Sequence, residues 1–154
     1  MPRTARGWAA LAGLTFGLAA CQTPPPNQNA ARLIALHPAA RCTASLPWFG
    51  RYPAGDEQVP EIYRAPDGRI AMDNDGGWCT IDFTYSIYAG LLPVVAPLRV
   101  ARPPAHGAAE VGSVGPAMRI AYRPAPGFAG QDDFAVHMGG PEPWTIPVHV
   151  TVAH

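Results

Sequence analysis

Residues 78–88 alternate strictly: Cys79, Ile81, Phe83, Tyr85 and Ile87 fall on one side of an extended chain, and Trp78, Thr80, Asp82, Thr84 and Ser86 on the other. Successive side chains of a strand point to opposite faces, so this pattern predicts a strand with one face in a core and the other in water. The segment 144–152 repeats it, with Trp144, Ile146, Val148, Val150 and Val152 inward. Apolar runs at 94–101, 109–114, 118–123 and 133–138, punctuated by Pro and Gly, predict further strands. Upstream, 59–64 and 69–72 flank Ala65-Pro66-Asp67-Gly68, whose Pro and Gly suit a turn, and predict a hairpin. Seven to eight short strands with frequent turns predict an all-β sandwich. No long proline-free stretch has a helical period. A run over 32–40, with Leu33, Ile34 and Leu36, suits one or two helical turns before His37-Pro38 ends it. Residues 42–55 read as loop, with Trp48, Phe49 and Tyr52 as covers for the core edge.

The pattern differs at the N-terminus. Behind Arg3 and Arg6, residues 8–20 carry no charge and close on Leu18-Ala19-Ala20-Cys21. A membrane-spanning helix needs about 20 apolar residues, so this shorter run reads as an export signal. The tetrapeptide resembles the lipobox of bacterial lipoproteins. That resemblance implies cleavage after Ala20, acylation of Cys21 and a mature chain that begins there; the alternatives are a plain secretory signal cut elsewhere or a short anchor helix. By the family convention that Asp after the cysteine retains the protein in the inner membrane, Gln22 implies the outer membrane, with the domain facing the periplasm. Residues 21–31 continue as QTPPPNQNAA after the cysteine, polar, proline-rich and uncharged, and predict an extended tether that spaces the domain off the membrane. The expected organisation is a signal peptide at 1–20, a tether at 21–31, a lead-in packed on the domain at 32–58 and a sandwich at 59–154.

Removal of the first 20 of 154 residues leaves 134, enough for one domain with a modest core. Every basic residue is arginine, and 11 − 2 = 9 of them then face 11 acids, a net charge of −2. No basic field exists to attract nucleic acid. With Cys21 given to lipid, Cys42 and Cys79 remain as an even pair in an oxidising compartment, where one disulfide is the default. They lack the C-x-x-C spacing of a redox or metal pair.

Arg102-Pro103-Pro104-Ala105-His106-Gly107, then Arg119 to Pro124, then Ala125-Pro126-Gly127-Phe128-Ala129-Gly130-Gln131-Asp132-Asp133-Phe134 resemble the bacterial Ig-like or cadherin-like repeat, with its P-x-x-G, Y-x-P and P-G-F-x-G-x-D-x-F in the same order. The chain departs from that repeat at Ala108, where a small hydroxyl residue is usual, and in being a single copy. The resemblance implies an Ig-like sandwich and says little about activity. Physically, Tyr122 shares the parity of Ile120 and belongs inward, with its hydroxyl bonded to backbone at a sandwich corner. Pro124, Pro126 and Gly127 turn the chain, Phe128 and Phe134 fill core, and Gly130 permits a positive φ. Asp132 is expected to accept backbone N–H bonds that close its own turn.

Candidate chemistry is sparse. Asp73-Asn74-Asp75-Gly76-Gly77 offers oxygen ligands between glycines, similar to a calcium loop, and cadherin-like domains often bind calcium; the rival reading is a tight turn between two paired strands. Asp132, with Asp133 and Glu142, is a second carboxylate group, although adjacent strand residues point apart. These groups suggest calcium as a cofactor, held by Asp73, Asp75 or Asp132. The five histidines lack H-E-x-x-H and lie outside any i, i+2 pair, while His137 and His149 both point outward and suit a cross-strand metal pair. None of the three serines lies in G-x-S-x-G, so a nucleophile has no evident base. Arg99, Arg119 and Arg123 share outward parity and suggest a basic stripe. The reading that follows is a non-enzymatic envelope lipoprotein whose domain binds or scaffolds an envelope protein or a glycan. Alternatives are a periplasmic inhibitor or sensor acting through a loop such as 46–56, and a metal-dependent hydrolase.

Overall fold

Alternation of apolar and polar residues becomes eight strands and one helix in a computed structural model, which describes residues 26–47, 67–84, 95–140 and 143–154. In chain order these are α1 (Pro26–Ile34), β1 (Cys42–Ser45), β2 (Gly68–Asp73), β3 (Cys79–Phe83), β4 (Leu98–Arg102), β5 (Gly107–Val114), β6 (Ala117–Pro124), β7 (Gly130–Met138) and β8 (Trp144–Ala153). They form two sheets, one of five strands in the order β1-β2-β8-β7-β4 and one of three in the order β3-β6-β5. All pairs are antiparallel except β2 with β8. The all-β sandwich is therefore present.

The core lies between the sheets and is built from the residues whose parity faces inward. Ile70 and Met72 of β2, Ile146, Val148, Val150 and Val152 of β8, and Phe134, Val136 and Met138 of β7 meet Cys79 and Ile81 of β3 and Met118, Ile120 and Tyr122 of β6. Cys42 and Cys79 form a disulfide with Cα atoms 5.4 Å apart, joining β1 of one sheet to β3 of the other. A link between layers closes a loop that strand pairing leaves open, and in the chain-entropy model stabilises by about 3 to 4 kcal/mol.

Several expectations change. The strand expected at 59–64 and the aromatics Trp48, Phe49 and Tyr52 lie outside the described residues. β2 pairs with β8 in parallel and with β1, a strand in a stretch that reads as loop. Thr43 and Ser45 gave too little apolar signal to mark it; pairing with β2 holds it. Residues 73–77 do not connect a hairpin, because β2 and β3 belong to different sheets. Trp78, of outward parity, is only 7% exposed. The chain at 37–39 covers it: Trp78 N–H donates to the His37 carbonyl at 2.8 Å, and Ala39 N–H to the Trp78 carbonyl at 2.9 Å.

The helix is the largest correction. It begins at Pro26, inside the expected tether, and packs against β5. Leu33 is 2% exposed, and its side chain occupies the space a Cβ on Gly112 would need, 2.7 Å from the Leu33 Cδ1 atom. Gly112 alternates with the core-packed Val111, so α1 sits on the outer face of the three-stranded sheet. Arg119 Nη1 donates to the Leu33 carbonyl at 2.8 Å, satisfying an end-of-helix acceptor. Arg32 pairs with Glu110 of β5. Among the described residues no helix is long and apolar enough to cross a membrane.

Candidate functional site

Two surfaces concentrate the polar side chains. The first is one end of the sandwich, where the segments 74–77, 105–108 and 123–130 meet. Asp132 has the inward parity of Phe134 but stands at the start of β7, so its carboxylate enters the end of the core, 7% exposed. Asp132 Oδ1 accepts the Ala105 N–H at 3.0 Å and Oδ2 the His106 N–H at 2.9 Å, across the fold rather than within its own turn. The Asp133 N–H also donates to Oδ1, at 2.9 Å. The Tyr122 hydroxyl stands 3.0 Å from Asp132 Oδ2 and 3.4 Å from the His106 carbonyl, so its chief acceptor is a carboxylate where a backbone carbonyl was expected. Burial and that neighbouring negative charge push the Tyr122 phenol well above the usual tyrosine range. The Tyr122 and Phe134 rings lie 5.8 Å apart within the core.

The turn that follows β6 is held from outside. Pro124 ends β6 opposite Gly107, and Gly127 (φ 76°) and Gly130 (φ 133°) both take the positive φ that side chains resist. Phe128 is half-buried and stacks on His106 with ring centroids 4.5 Å apart. Asn74 Nδ2 donates to the Ala125 carbonyl at 2.8 Å and to the Phe128 carbonyl at 2.9 Å. Beside this corner an open depression of about 570 Å³ runs between Asn74, Gly107, Arg123, Pro124 and Pro126. The Arg123 guanidinium lies over the Trp78 ring at 4.9 Å. Sequence reasoning placed Asn74 in a turn but missed its reach of 51 residues to Ala125, since nothing local encodes such a contact.

Asp73, Asp75 and Asp132 do not converge on a cation. Asp75 Oδ2 accepts the Ala40 N–H at 2.5 Å and Oδ1 the Gly77 N–H at 2.9 Å, and these bonds hold its carboxyl below the usual range. Asp73 stands 3.5 Å from Arg41. Among the described residues no three His, Cys, Asp or Glu side chains gather as a metal site. Asp133 points away from Asp132 and pairs with Arg102, which holds its carboxyl below the usual range; Glu142 lies outside the described residues. His137 is opposite Thr145 and His149 opposite Asp133, so the two histidines are not cross-strand partners. Arg99 belongs to one sheet and Arg119 and Arg123 to the other, which removes the basic stripe. Arg119 instead grips the directly opposed Asp82 with two nitrogens, at 2.7 and 2.6 Å.

The second surface is the outer face of the five-stranded sheet. Register sets Ser45, Arg69, His149 and Asp133 in one row across β1, β2, β8 and β7, and Thr43, Ala71, Thr151 and Gln131 in the next. Asp67 bonds Arg69 at 2.9 Å and stands 3.5 Å from His149. Thr43, Ser45, Arg69, Gln131, His149 and Thr151 line a shallow depression of about 530 Å³. Such a face offers many hydrogen-bond donors and acceptors on a flat, rigid support. Compared with family models the chain matches none, and a search of curated proteins gives no match either.

Proposed function

We propose that this chain is a non-enzymatic lipoprotein of the bacterial outer membrane, anchored through Cys21 and facing the periplasm, whose Ig-like sandwich binds or scaffolds an envelope protein or glycan. The observation that carries the reading is how the chain uses its polar side chains. Asp132 and Asp75 spend both carboxylate oxygens on backbone N–H groups. Asp82, Asp133 and Glu110 pair with arginines. Among the described residues, Thr43, Ser45, Arg69, Gln131, His149 and Thr151 present a sheet surface suited to recognition by hydrogen bonds.

The Ig-like part is supported by strand order. With β2 to β8 lettered A to G, one sheet runs B-E-D and the other holds C-F-G, the division of a constant-type Ig domain. Two features depart from that plan: strand A lies beside G in parallel, and β1 adds an outer strand. A Tyr at the corner, with its hydroxyl bound near the sheet end, also suits a sandwich of this type.

Membrane fractionation and mass analysis of the native protein test the anchor, and photo-crosslinkers at Thr151 and Glu110 test the face. Acylated protein in the outer-membrane fraction, with discrete adducts from Thr151 and none from Glu110, is expected. Unmodified soluble protein, or adducts from Glu110 alone, would refute the reading.

A further inference from the structure

The tether that the sequence offers as a spacer is largely consumed by α1. Of the residues 22–31, those from Pro26 onward are helical, which leaves Gln22 to Pro25 between Cys21 and the helix. Five Cα steps separate Cys21 from Pro26, and even a fully extended chain spans no more than about 18 Å over them. The helix itself is fixed to the domain by three contacts: Leu33 in the space over Gly112, Arg119 on the Leu33 carbonyl, and Arg32 on Glu110.

We propose that the α1-bearing face of the sandwich rests against the phospholipid surface of the membrane, and that the outer face of the five-stranded sheet is thereby turned away from it. This placement rests on acylation of Cys21 as argued above and deepens that reading, because it names which face meets lipid and which is free for a partner. A bilayer surface is the occupant that chain length selects: an anchor within about 18 Å of Pro26 keeps the start of α1 within about two helix diameters of the lipid. The surface chemistry agrees. Ile34, 63% exposed at the end of α1, gives an aliphatic contact, while Arg32, its side chain 71% exposed, lies on the other flank of the helix, where it pairs with Glu110. The polar face with Arg69, Gln131 and His149 lies two layer spacings of about 10 Å each beyond the helix.

The test uses the full acylated chain in vesicles of phosphatidylethanolamine and phosphatidylglycerol that carry a headgroup nitroxide lipid. Ile34→Cys and Gln131→Cys are each labelled with a fluorophore under non-reducing conditions, which spare the Cys42–Cys79 disulfide. Quenching several-fold stronger at position 34 than at 131 is expected. Insertion of a 20-residue Gly-Ser spacer after Gln22, which adds about 25 Å of root-mean-square reach, is expected to abolish the difference. Equal quenching at both positions in acylated protein with the native tether would overturn the placement while leaving the anchor standing. A mass without acyl groups at Cys21 would overturn the anchor, and the placement with it.

Discussion

Replacement of Asp132 by alanine removes a side chain that ties the Ala105–His106 loop to the start of β7 and to Tyr122. Four donors lose their acceptor: the N–H groups of Ala105, His106 and Asp133, and the Tyr122 hydroxyl. The first three belong to exposed residues, so water replaces much of what they lose. The hydroxyl differs, because Tyr122 is 0% exposed and its remaining neighbour is the His106 carbonyl at 3.4 Å. An unsatisfied buried donor costs about 1 to 3 kcal/mol, and bonds to a charged acceptor lie at the upper end of the hydrogen-bond range. Together with partly rehydrated loop amides, the expected loss is about 3 kcal/mol. Urea unfolding followed by tryptophan fluorescence measures it. A cycle with Tyr122→Phe isolates the central contact: the double variant is expected to be about 1 to 2 kcal/mol more stable than additivity gives. A loss under about 1 kcal/mol, or strict additivity, would show that the carboxylate is not a keystone of this corner.

Three further outcomes follow from the same geometry. Reduction of the disulfide, or Cys42→Ser with Cys79→Ser, is expected to lower stability by about 3 to 4 kcal/mol with the fold retained, and an unchanged unfolding midpoint in reductant would contradict the link between sheets. Alkaline pH is expected to destabilise: the unfolded Tyr122 phenol titrates near pH 10 while the folded one stays protonated, so stability falls as pH rises from about 10 toward the folded value. Tyr122→Phe is expected to flatten that limb, and an identical alkaline slope in both proteins would dismiss the linkage. Leu33→Ala is expected to cost about 2 kcal/mol and to speed amide exchange along α1 without loosening β7 or β8; unchanged exchange in α1 would mean that the helix is held by other contacts.

The strands were legible because their information is local. Alternation at Cys79, Ile81 and Phe83, and at Ile146, Val148, Val150 and Val152, states which side of a ribbon is buried, and burial of apolar surface enforces that statement wherever the ribbon lies. The inward parity of Tyr122, Asp132 and Phe134 was equally open to reading, as was the pairing of Cys42 with Cys79 once Cys21 had a separate use. Only tertiary structure decided the partners. That β2 lies beside β8, that Asp132 serves the 105–106 loop, and that Asn74 reaches Ala125 all depend on chain ends brought together by other elements. The helix shows the limit most directly. QTPPPNQNAA has the composition of a spacer, and what makes part of it helical is a site made elsewhere: the gap over Gly112 that receives Leu33, and the Arg119 guanidinium that receives its carbonyl. A short helix in water is marginal, so its existence is a property of the surface it docks on rather than of its own residues.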